Sequence, residues 1–341
     1  MIDFSKPFTK SDLYEFAEWI IPYAENIGYK VSSRGWCYLL ESERMVNKDG
    51  FDKVENIINR CRKFGILPID FVAEEPSREF DSVYVTTKDT PLQWLKGYLE
   101  SALYCERWYT PDWHDGEEYY IQMVVEKIDL KTLFTPVCEK YHIPIANSKG
   151  WSSMLQRAEY SRRFKEAENR GMKCVLLYCG DHDPDGLRIS DFIMNNLTDL
   201  AGVQWSDGLR GYNPDDLIID RFGLNYDFIQ ANKLTWIDNL ITGSGKNLAS
   251  PTHKNHKLPY VKQYIKQFGT RKCEANAIMP KPIEARKLVE DVIISYLGTD
   301  AISRFNAKLQ LVKDEISDFR IKTGLIESIQ SSIQLLEDNE S

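Results

Sequence analysis

The stretch Tyr178-Cys179-Gly180-Asp181-His182-Asp183-Pro184-Asp185-Gly186 places three alternating carboxylates directly after a run of apolar residues. That run, residues 175–178, predicts a buried strand, and the proline and glycine that follow predict a turn. Apolar residues then resume at helical spacing from Leu187. The stretch therefore predicts a strand, an acidic turn at its carboxyl end, and a helix. Ligand and catalytic sites of open α/β sheets lie at that end of the strands.

Carboxylates crowded on one short turn repel each other unless a cation lies between them. Oxygen-only ligands favour Mg²⁺, with Mn²⁺ as the alternative. A simpler interpretation is an acidic surface loop in which Asp183 or Asp185 only caps the next helix. An EF-hand is disfavoured, because no Glu closes the loop at the position that motif requires.

The composition sets limits on the class of protein. A chain of 341 residues, 43% hydrophobic and 28% charged, predicts about two or three globular domains. The net charge of -8 argues against a broadly basic surface but permits a local basic groove for nucleic acid. The seven cysteines are scattered without a CxxC pair, which predicts reduced thiols and a cytoplasmic protein. The sequence contains no apolar run of about 18 residues, so it predicts no membrane span. Its first residues do not show the pattern of a signal peptide.

Residues 1–80 predict a small helical domain. Three helical patterns are followed by residues 66–73, whose alternation predicts a strand. The third helix carries Arg60, Arg62 and Lys63 on its exposed side. Three helices and a strand favour a winged helix-turn-helix whose basic third helix would contact DNA. A generic three-helix packing module is the alternative.

Residues 81–116 predict a connector with one helix, and residues 117–280 alternate between strands and helices. This alternation predicts a parallel sheet with right-handed crossovers, so the fold class is α/β with helical parts. Glu126 follows the first strand and Asp181 follows the third. Parallel strands bring both residues to one edge of the sheet, so Glu126, Asp181 and Asp183 are predicted to form one acidic cluster.

Residues 281–341 predict C-terminal helices. In the longer of them, apolar residues recur at three- and four-residue spacing from residue 302 to 319, as in a heptad seam. A helix that packs on its own domain is the favoured interpretation. Self-association through this seam is the alternative.

A Glu after the first strand and Asp-x-Asp after the third resemble the Toprim domain of topoisomerases, primases and some nucleases. Three details resemble one branch of it, the A subunit of topoisomerase VI and the meiotic double-strand-break transesterase. These details are Lys127 after Glu126, the Asp-x-Asp-Pro-x-Gly turn, and the Lys149-Gly150-Trp151 turn between them. That family carries a winged helix before Toprim and a tyrosine four residues after an arginine, the spacing of Arg34 and Tyr38 here. The segment around Glu274 also resembles a later acidic segment of the family.

The resemblance implies cleavage of double-stranded DNA by tyrosine transesterification. Tyr38 would form a 5′-phosphotyrosyl end, Arg34 would contact the scissile phosphate, and Glu126, Asp181 and Asp183 would hold Mg²⁺. A homodimer is implied, in which the tyrosine of one subunit works with the metal site of the other. No ATP-binding signature is present in the sequence, so strand passage would need a separate ATPase subunit.

Two alternatives remain open at the level of the sequence. The first is a hydrolytic Toprim nuclease, in which the metal cluster activates water and Tyr38 only packs in the helical core. The second is a DNA-binding protein that keeps the fold without catalysis. In both alternatives Arg34 would be an ordinary surface ion-pair partner.

Overall fold

The computed structural model describes residues 4, 6–73, 88–148, 154–214, 216–241, 245 and 247–340. Within these ranges the chain forms twelve α-helices and a four-stranded sheet. The helices in chain order are α1 (Lys10–Ile27), α2 (Ser33–Ser42), α3 (Phe51–Lys63), α4 (Pro91–Ala102), α5 (Ile128–Lys140), α6 (Met154–Asn169), α7 (Ile189–Thr198), α8 (Tyr226–Ala231), α9 (Pro259–Phe268), α10 (Pro282–Leu297), α11 (Ala301–Lys322) and α12 (Leu325–Glu340). The strands are β1 (Tyr119–Val125), β2 (Ile145–Asn147), β3 (Lys173–Cys179) and β4 (Ile218–Gly223).

All four strands are parallel, in the order β2-β1-β3-β4. Most residues of the central strands β1 and β3 are apolar and buried because helices cover both faces of the sheet. On one face, Val124 packs in a buried cluster with Phe164 of α6. Neighbouring strand residues point to opposite faces, and on the other face Met123 contacts Cys138 of α5. The predicted α/β class with a parallel sheet is confirmed.

The parallel pairing aligns the carboxyl ends of β1 and β3. The backbone N–H of Glu126 donates to the carbonyl oxygen of Cys179 at 3.1 Å, so the acidic residues after the two strands begin at the same level. The prediction that Glu126 and Asp181 lie at one edge of the sheet is therefore confirmed.

Helices α1, α2 and α3 share one hydrophobic core, whose largest members are Phe16, Trp36 and Phe51. Ser32 caps α2 by accepting a hydrogen bond from the N–H of Gly35 at 3.0 Å. Met279, which lies between the sheet and α10 in sequence, is buried in the same core. The helices at the start of the chain are thereby packed onto a late segment of it.

The predicted strand at residues 66–73 was wrong. These residues form turns, in which the N–H of Phe71 donates to the carbonyl oxygen of Pro68 at 3.1 Å. Pro68 lacks an N–H for a strand ladder, and Ile69 is 72% exposed. A winged helix is not confirmed, and residues 74–87, where a wing would continue, lie outside the described ranges.

The chain divides into two compact units. The first comprises Met1–Pro76 and Glu118–Tyr296, and so holds α1–α3, the whole sheet and nearly all of α10. The second comprises Ser77–Glu117 and Leu297–Ser341, and so combines the whole of the predicted connector with α11 and α12. All of the predicted site residues belong to the first unit.

The second unit is a helical packing of α4, α11 and α12. Trp113 packs on Phe305 with ring centroids 4.4 Å apart, and the Lys96 ammonium lies 2.6 Å from the Glu337 carboxylate. The structure describes every residue of α4, and none of them is buried. Across the described part of the chain, no helix combines the length and the apolar character needed to cross a bilayer.

Candidate active site at the carboxyl edge of the sheet

Glu126 and Asp181 lie side by side at the edge of the sheet. The backbone N–H of Asp181 donates to Oε2 of Glu126 at 3.0 Å. The opposite side of Asp181 is held by a late segment, because the N–H of Ala275 donates to Oδ1 of Asp181 at 2.7 Å. Three segments that are distant in sequence therefore converge on the carboxyl group of Asp181.

The ammonium of Lys127 lies against both carboxylates. Its Nζ is 2.7 Å from Oε1 of Glu126 and 3.6 Å from Oδ2 of Asp181. Burial and the charge of Glu126 raise the pKa of Asp181 to about 7, although Lys127 opposes the rise. Burial alone would lower the pKa of Lys127, but the two carboxylates outweigh it and raise that pKa.

Asp183 and Asp185 occupy the turn that follows. Oδ1 of Asp183 accepts a hydrogen bond from the N–H of Gly186 at 2.7 Å, and Asp185 accepts one from the hydroxyl of Tyr260 at 2.9 Å. A Cβ at Gly186 would overlap the carbonyl oxygen of Asp181, so the turn requires glycine there. Burial raises the pKa of Asp183, chiefly by removing water from its carboxylate.

Arg221, near the end of β4, stabilises this turn through hydrogen bonds to its backbone. Its guanidinium donates to the carbonyl oxygens of Gly186 at 2.9 Å and Asp181 at 3.0 Å. The sequence analysis missed this residue. The sequence feature that could have pointed to Arg221 is a charged residue in a largely apolar strand. That feature does not reveal which groups the side chain contacts.

The hydroxyl of Tyr38 donates to Oε2 of Glu274 at 2.6 Å, across 236 positions of the sequence. Glu274 also lies 3.1 Å from the ammonium of Lys272 and 3.4 Å from that of Lys48. Burial would raise the pKa of Glu274, but the Tyr38 hydroxyl and the two lysines lower it to about 2. Burial and the charge of Glu274 raise the pKa of Tyr38.

Arg34 lies on α2, one helical turn before Tyr38, and points toward α3. Its guanidinium is 3.1 Å from Glu55 and 3.9 Å from Asp52, and it stacks over the ring of Phe51 at 4.7 Å. The side chain is 51% exposed. In this arrangement Arg34 is an ion-pair partner of α3. It is not among the residues that line the cavity next to Glu126 and Asp181.

Two residues fix α2, and with it Tyr38, against the rest of the unit. The buried carboxylate of Asp129 accepts hydrogen bonds from the N–H of Ser32 at 2.9 Å and from the amide of Asn276 at 3.3 Å. A Cβ on Gly35 would lie 2.9 Å from Oδ1 of Asp129 and equally close to Cε of Met279. The absence of a side chain at Gly35 therefore lets α2 approach closely enough for Tyr38 to reach Glu274.

The carboxylates of this region open onto one cavity of about 930 Å³. Its charged lining consists of five carboxylates and three lysines. They are Glu126, Asp181, Asp183, Asp185, Glu274, Lys48, Lys127 and Lys272. The structure thus brings Glu126, Asp181 and Asp183 together at this cavity and places Tyr38 beside it through Glu274.

The carboxylates fit a divalent cation in their chemistry, since every donor is an oxygen, as Mg²⁺ requires. Burial, and after it the charge of Glu126, raise the pKa of Asp181, so a cation at this place would stabilise the ionised carboxylate. In the described residues, however, no three carboxylate, imidazole or thiol groups are placed to hold one ion together. The ammonium of Lys127 instead lies between the two closest carboxylates.

His182 points away from the cavity into an aromatic cluster. Its Nδ1 is 2.9 Å from the carbonyl oxygen of Leu224, and its ring lies 4.8 Å from that of Phe268. Burial lowers the pKa of His182 to about 4. The neutral imidazole is therefore a packing group that anchors the acidic turn.

Two comparisons with known proteins gave no family for this chain. No protein-family model matches it, and the search of curated proteins also produced no match. The Lys149-Gly150-Trp151 turn, one of the three features of the resemblance, lies outside the described residues.

Proposed function

We propose that this chain cleaves double-stranded DNA in a metal-dependent transesterification, with Tyr38 as the nucleophile, as the A subunit of topoisomerase VI does. One observation carries the proposal: the hydroxyl of Tyr38 contacts Glu274, which lines the same cavity as Glu126, Asp181 and Asp183. A nucleophile beside a cavity that is lined by carboxylates and lysines provides the groups that phosphodiester cleavage requires.

In the proposed step, Oη of Tyr38 forms a bond to phosphorus and the bond from phosphorus to the 3′ oxygen breaks. The phenolic proton is lost to solvent, and the departing 3′ oxygen takes up a proton. In the described residues these carboxylates are not placed around one ion, so Glu126, Asp181 and Asp183 would have to draw together to hold a divalent cation. Such a cation would supply charge stabilisation at the departing oxygen. The lysines of the cavity would bind the phosphate by charge.

Two groups must change partners for this chemistry. A tyrosine hydroxyl ordinarily has a pKa near 10, and here burial and Glu274 raise the pKa of Tyr38 further. Tyr38 must therefore leave Glu274 before it can react as a phenolate. Arg34 must likewise leave Glu55 to contact the scissile phosphate, as the resemblance implies.

The remaining parts of the proposal follow from the resemblance. The substrate is double-stranded DNA, the enzyme is a homodimer, and topoisomerase activity would need a separate ATPase subunit. The metal is Mg²⁺, which Mn²⁺ can replace. Each of these parts requires its own test.

Cleavage of supercoiled plasmid with Mg²⁺ or Mn²⁺, quenched in detergent with and without protease, tests the proposal. We expect protein-linked breaks with the wild type and none with Tyr38→Phe or Asp183→Asn. Tyr14→Phe is a matched control, because Tyr14 is half-exposed on α1 and lies outside the cavity lining. Protein-linked breaks that persist in Tyr38→Phe would exclude Tyr38 as the nucleophile.

The alternative is a hydrolytic Toprim nuclease, and the pKa of Tyr38, which burial and the charge of Glu274 raise, favours it. A tyrosine kept neutral by an adjacent carboxylate is suited to orient that carboxylate rather than to attack phosphorus. The plasmid assay separates the two functions. Free ends that survive Tyr38→Phe but not Asp183→Asn identify a hydrolase, whereas indifference to both the metal and Asp181→Ala identifies a DNA-binding protein without catalysis.

A further inference from the structure

We propose that Lys127 is an internal counter-ion whose ammonium holds the cation position between Glu126 and Asp181, and that a divalent cation must displace it to bind. The inference deepens the proposed function and rests on it, because it concerns how the same carboxylates receive their metal. Its basis is the position of Nζ, 2.7 Å from one carboxylate and 3.6 Å from the other.

The environment of the two carboxylates explains why an ammonium is needed there. The side chains of Glu126 and Asp181 are only 16% and 14% exposed. Two carboxylates that are this close together and this buried lower the stability of the folded state unless a positive charge lies between them. Lys127 supplies that charge from the chain itself, so the site is stable before any metal arrives.

The same geometry makes Lys127 a competitor. Divalent cations prefer carboxylate oxygens, and Lys127 contacts Oε1 of Glu126 and Oδ2 of Asp181. The other oxygens of these carboxylates accept backbone hydrogen bonds from Asp181 and Ala275. A cation that binds both carboxylates therefore competes with Lys127 for Oε1 of Glu126 and Oδ2 of Asp181.

Displacement is possible because Lys127 stands at the junction of β1 and α5 and its side chain is 36% exposed. The ammonium can swing into the cavity that Lys48 and Lys272 also line. Metal binding would then free a positive charge beside the place where a phosphate binds. Metal and DNA would strengthen each other's binding through this exchange.

Titration of Mn²⁺, followed by loss of the free-ion electron paramagnetic resonance signal, tests the exchange without any measurement of activity. We expect Lys127→Met to bind Mn²⁺ about tenfold more tightly than the wild type, because a charge at contact distance is removed. Lys48→Met is the matched control, since Lys48 lines the same cavity but pairs with Glu274. Equal affinities in the two variants, or weaker binding by Lys127→Met, would overturn the proposal.

A second measurement uses the wild type and so does not depend on how a variant folds. Brief acetylation followed by mass spectrometry reports how accessible and reactive each lysine is. We expect Mg²⁺ to increase labelling of Lys127 severalfold and to leave Lys140 unchanged, because Lys140 is paired with Glu290 on the surface. Labelling of Lys127 that does not respond to Mg²⁺, in a sample that binds Mn²⁺, contradicts the exchange.

The failure of this inference is distinguishable from failure of the proposed function. If neither the wild type nor Lys127→Met binds Mn²⁺, both the metal requirement and the exchange are wrong. If both bind it equally and the plasmid is cleaved, only the exchange is wrong.

Discussion

The carboxyl group of Asp181 is buried beside Glu126. Burial and the charge of Glu126 raise the pKa of Asp181 from the ordinary value of 3.8 to about 7. A carboxyl whose pKa is raised on folding stabilises the protein when protonated, so its contribution is lost as pH rises from about 4 through 7. In EDTA, we expect Asp181→Asn to gain stability relative to the wild type as the pH rises from 5 to 8. Thermal unfolding across this pH range measures the difference.

Asp318→Asn is the control for that comparison. Asp318 is a carboxylate on α11 whose side chain is 70% exposed, so its removal should not change the pH dependence. The melting temperature of the wild type should fall relative to that of Asp181→Asn as the pH rises from 5 to 8. A difference between the two proteins that does not change with pH would contradict the raised pKa of Asp181.

The contact between Tyr38 and Glu274 can be measured as a coupling energy. A hydrogen bond to a charged group contributes about 1.5–3 kcal/mol, and this one is 2.6 Å long. We expect a double-mutant cycle of Tyr38→Phe and Glu274→Gln, measured by urea unfolding, to give about 1–2 kcal/mol of coupling. A coupling near zero would show that the two side chains do not share a hydrogen bond in solution.

At the scale of elements, the approach of α2 depends on Gly35. A methyl group there would meet Val31 at 2.6 Å and Asp129 at 2.9 Å, so α2 would have to move. We expect Gly35→Ala to lower the free energy of unfolding by about 1–3 kcal/mol and to weaken the coupling between Tyr38 and Glu274. Chemical denaturation measures the first effect, and the double-mutant cycle repeated in the variant measures the second.

Gly97→Ala is the matched control for Gly35→Ala. Gly97 lies inside α4, and a methyl group there meets nothing within 4 Å. Alanine in the interior of a helix is more stable than glycine by about 0.5–1 kcal/mol. The two substitutions should therefore change stability in opposite directions, and a loss of similar size in both would contradict the role of Gly35.

The sequence predicts those elements whose signals are local. Residues 119–125 are apolar apart from Gln122, and the resulting strand has the expected bounds. Pro282 begins α10 where the sequence predicts a helix. The shared edge of Glu126 and Asp181 follows from parallel pairing, which the alternation of strands and helices predicts.

Other features depend on packing that the local sequence does not encode. Residues 66–73 alternate as a strand does, but Pro68 turns the chain and Ile69 is exposed. The partnership of Tyr38 with Glu274 spans 236 positions and arises only because α2 packs against the segment that holds Glu274. No periodicity or motif predicts a contact of that kind.

At the scale of the whole molecule, the two compact units differ in how their elements are buried. Strands β1 and β3 form the centre of the sheet, with most of their side chains fully buried. Helix α4 buries none of its described side chains. In hydrogen-exchange mass spectrometry of the full chain, we expect β1 and β3 to exchange last and α4 among the earliest helices. Protection of α4 equal to that of β3 would indicate a covering surface, such as a second subunit.

Metal binding should stabilise the first unit in a pH-dependent manner. A ligand that binds only the folded state stabilises it by about 2.7 kcal/mol at one hundred times its dissociation constant. The proposed ligand carboxylates must be ionised to bind a cation, and the pKa of Asp181 is about 7. We therefore expect Mg²⁺ to raise the melting temperature more at pH 8 than at pH 6, with the difference following ionisation of Asp181.

Asp183→Asn provides the test of that linkage. The asparagine still accepts the hydrogen bond from Gly186 but carries no charge, so the turn should persist while affinity for the cation falls. Mg²⁺ should then raise the melting temperature of this variant little at either pH. Equal stabilisation of wild type and Asp183→Asn would mean that the cation binds elsewhere. Stabilisation of the wild type that is independent of pH would mean that Asp181 is not a ligand.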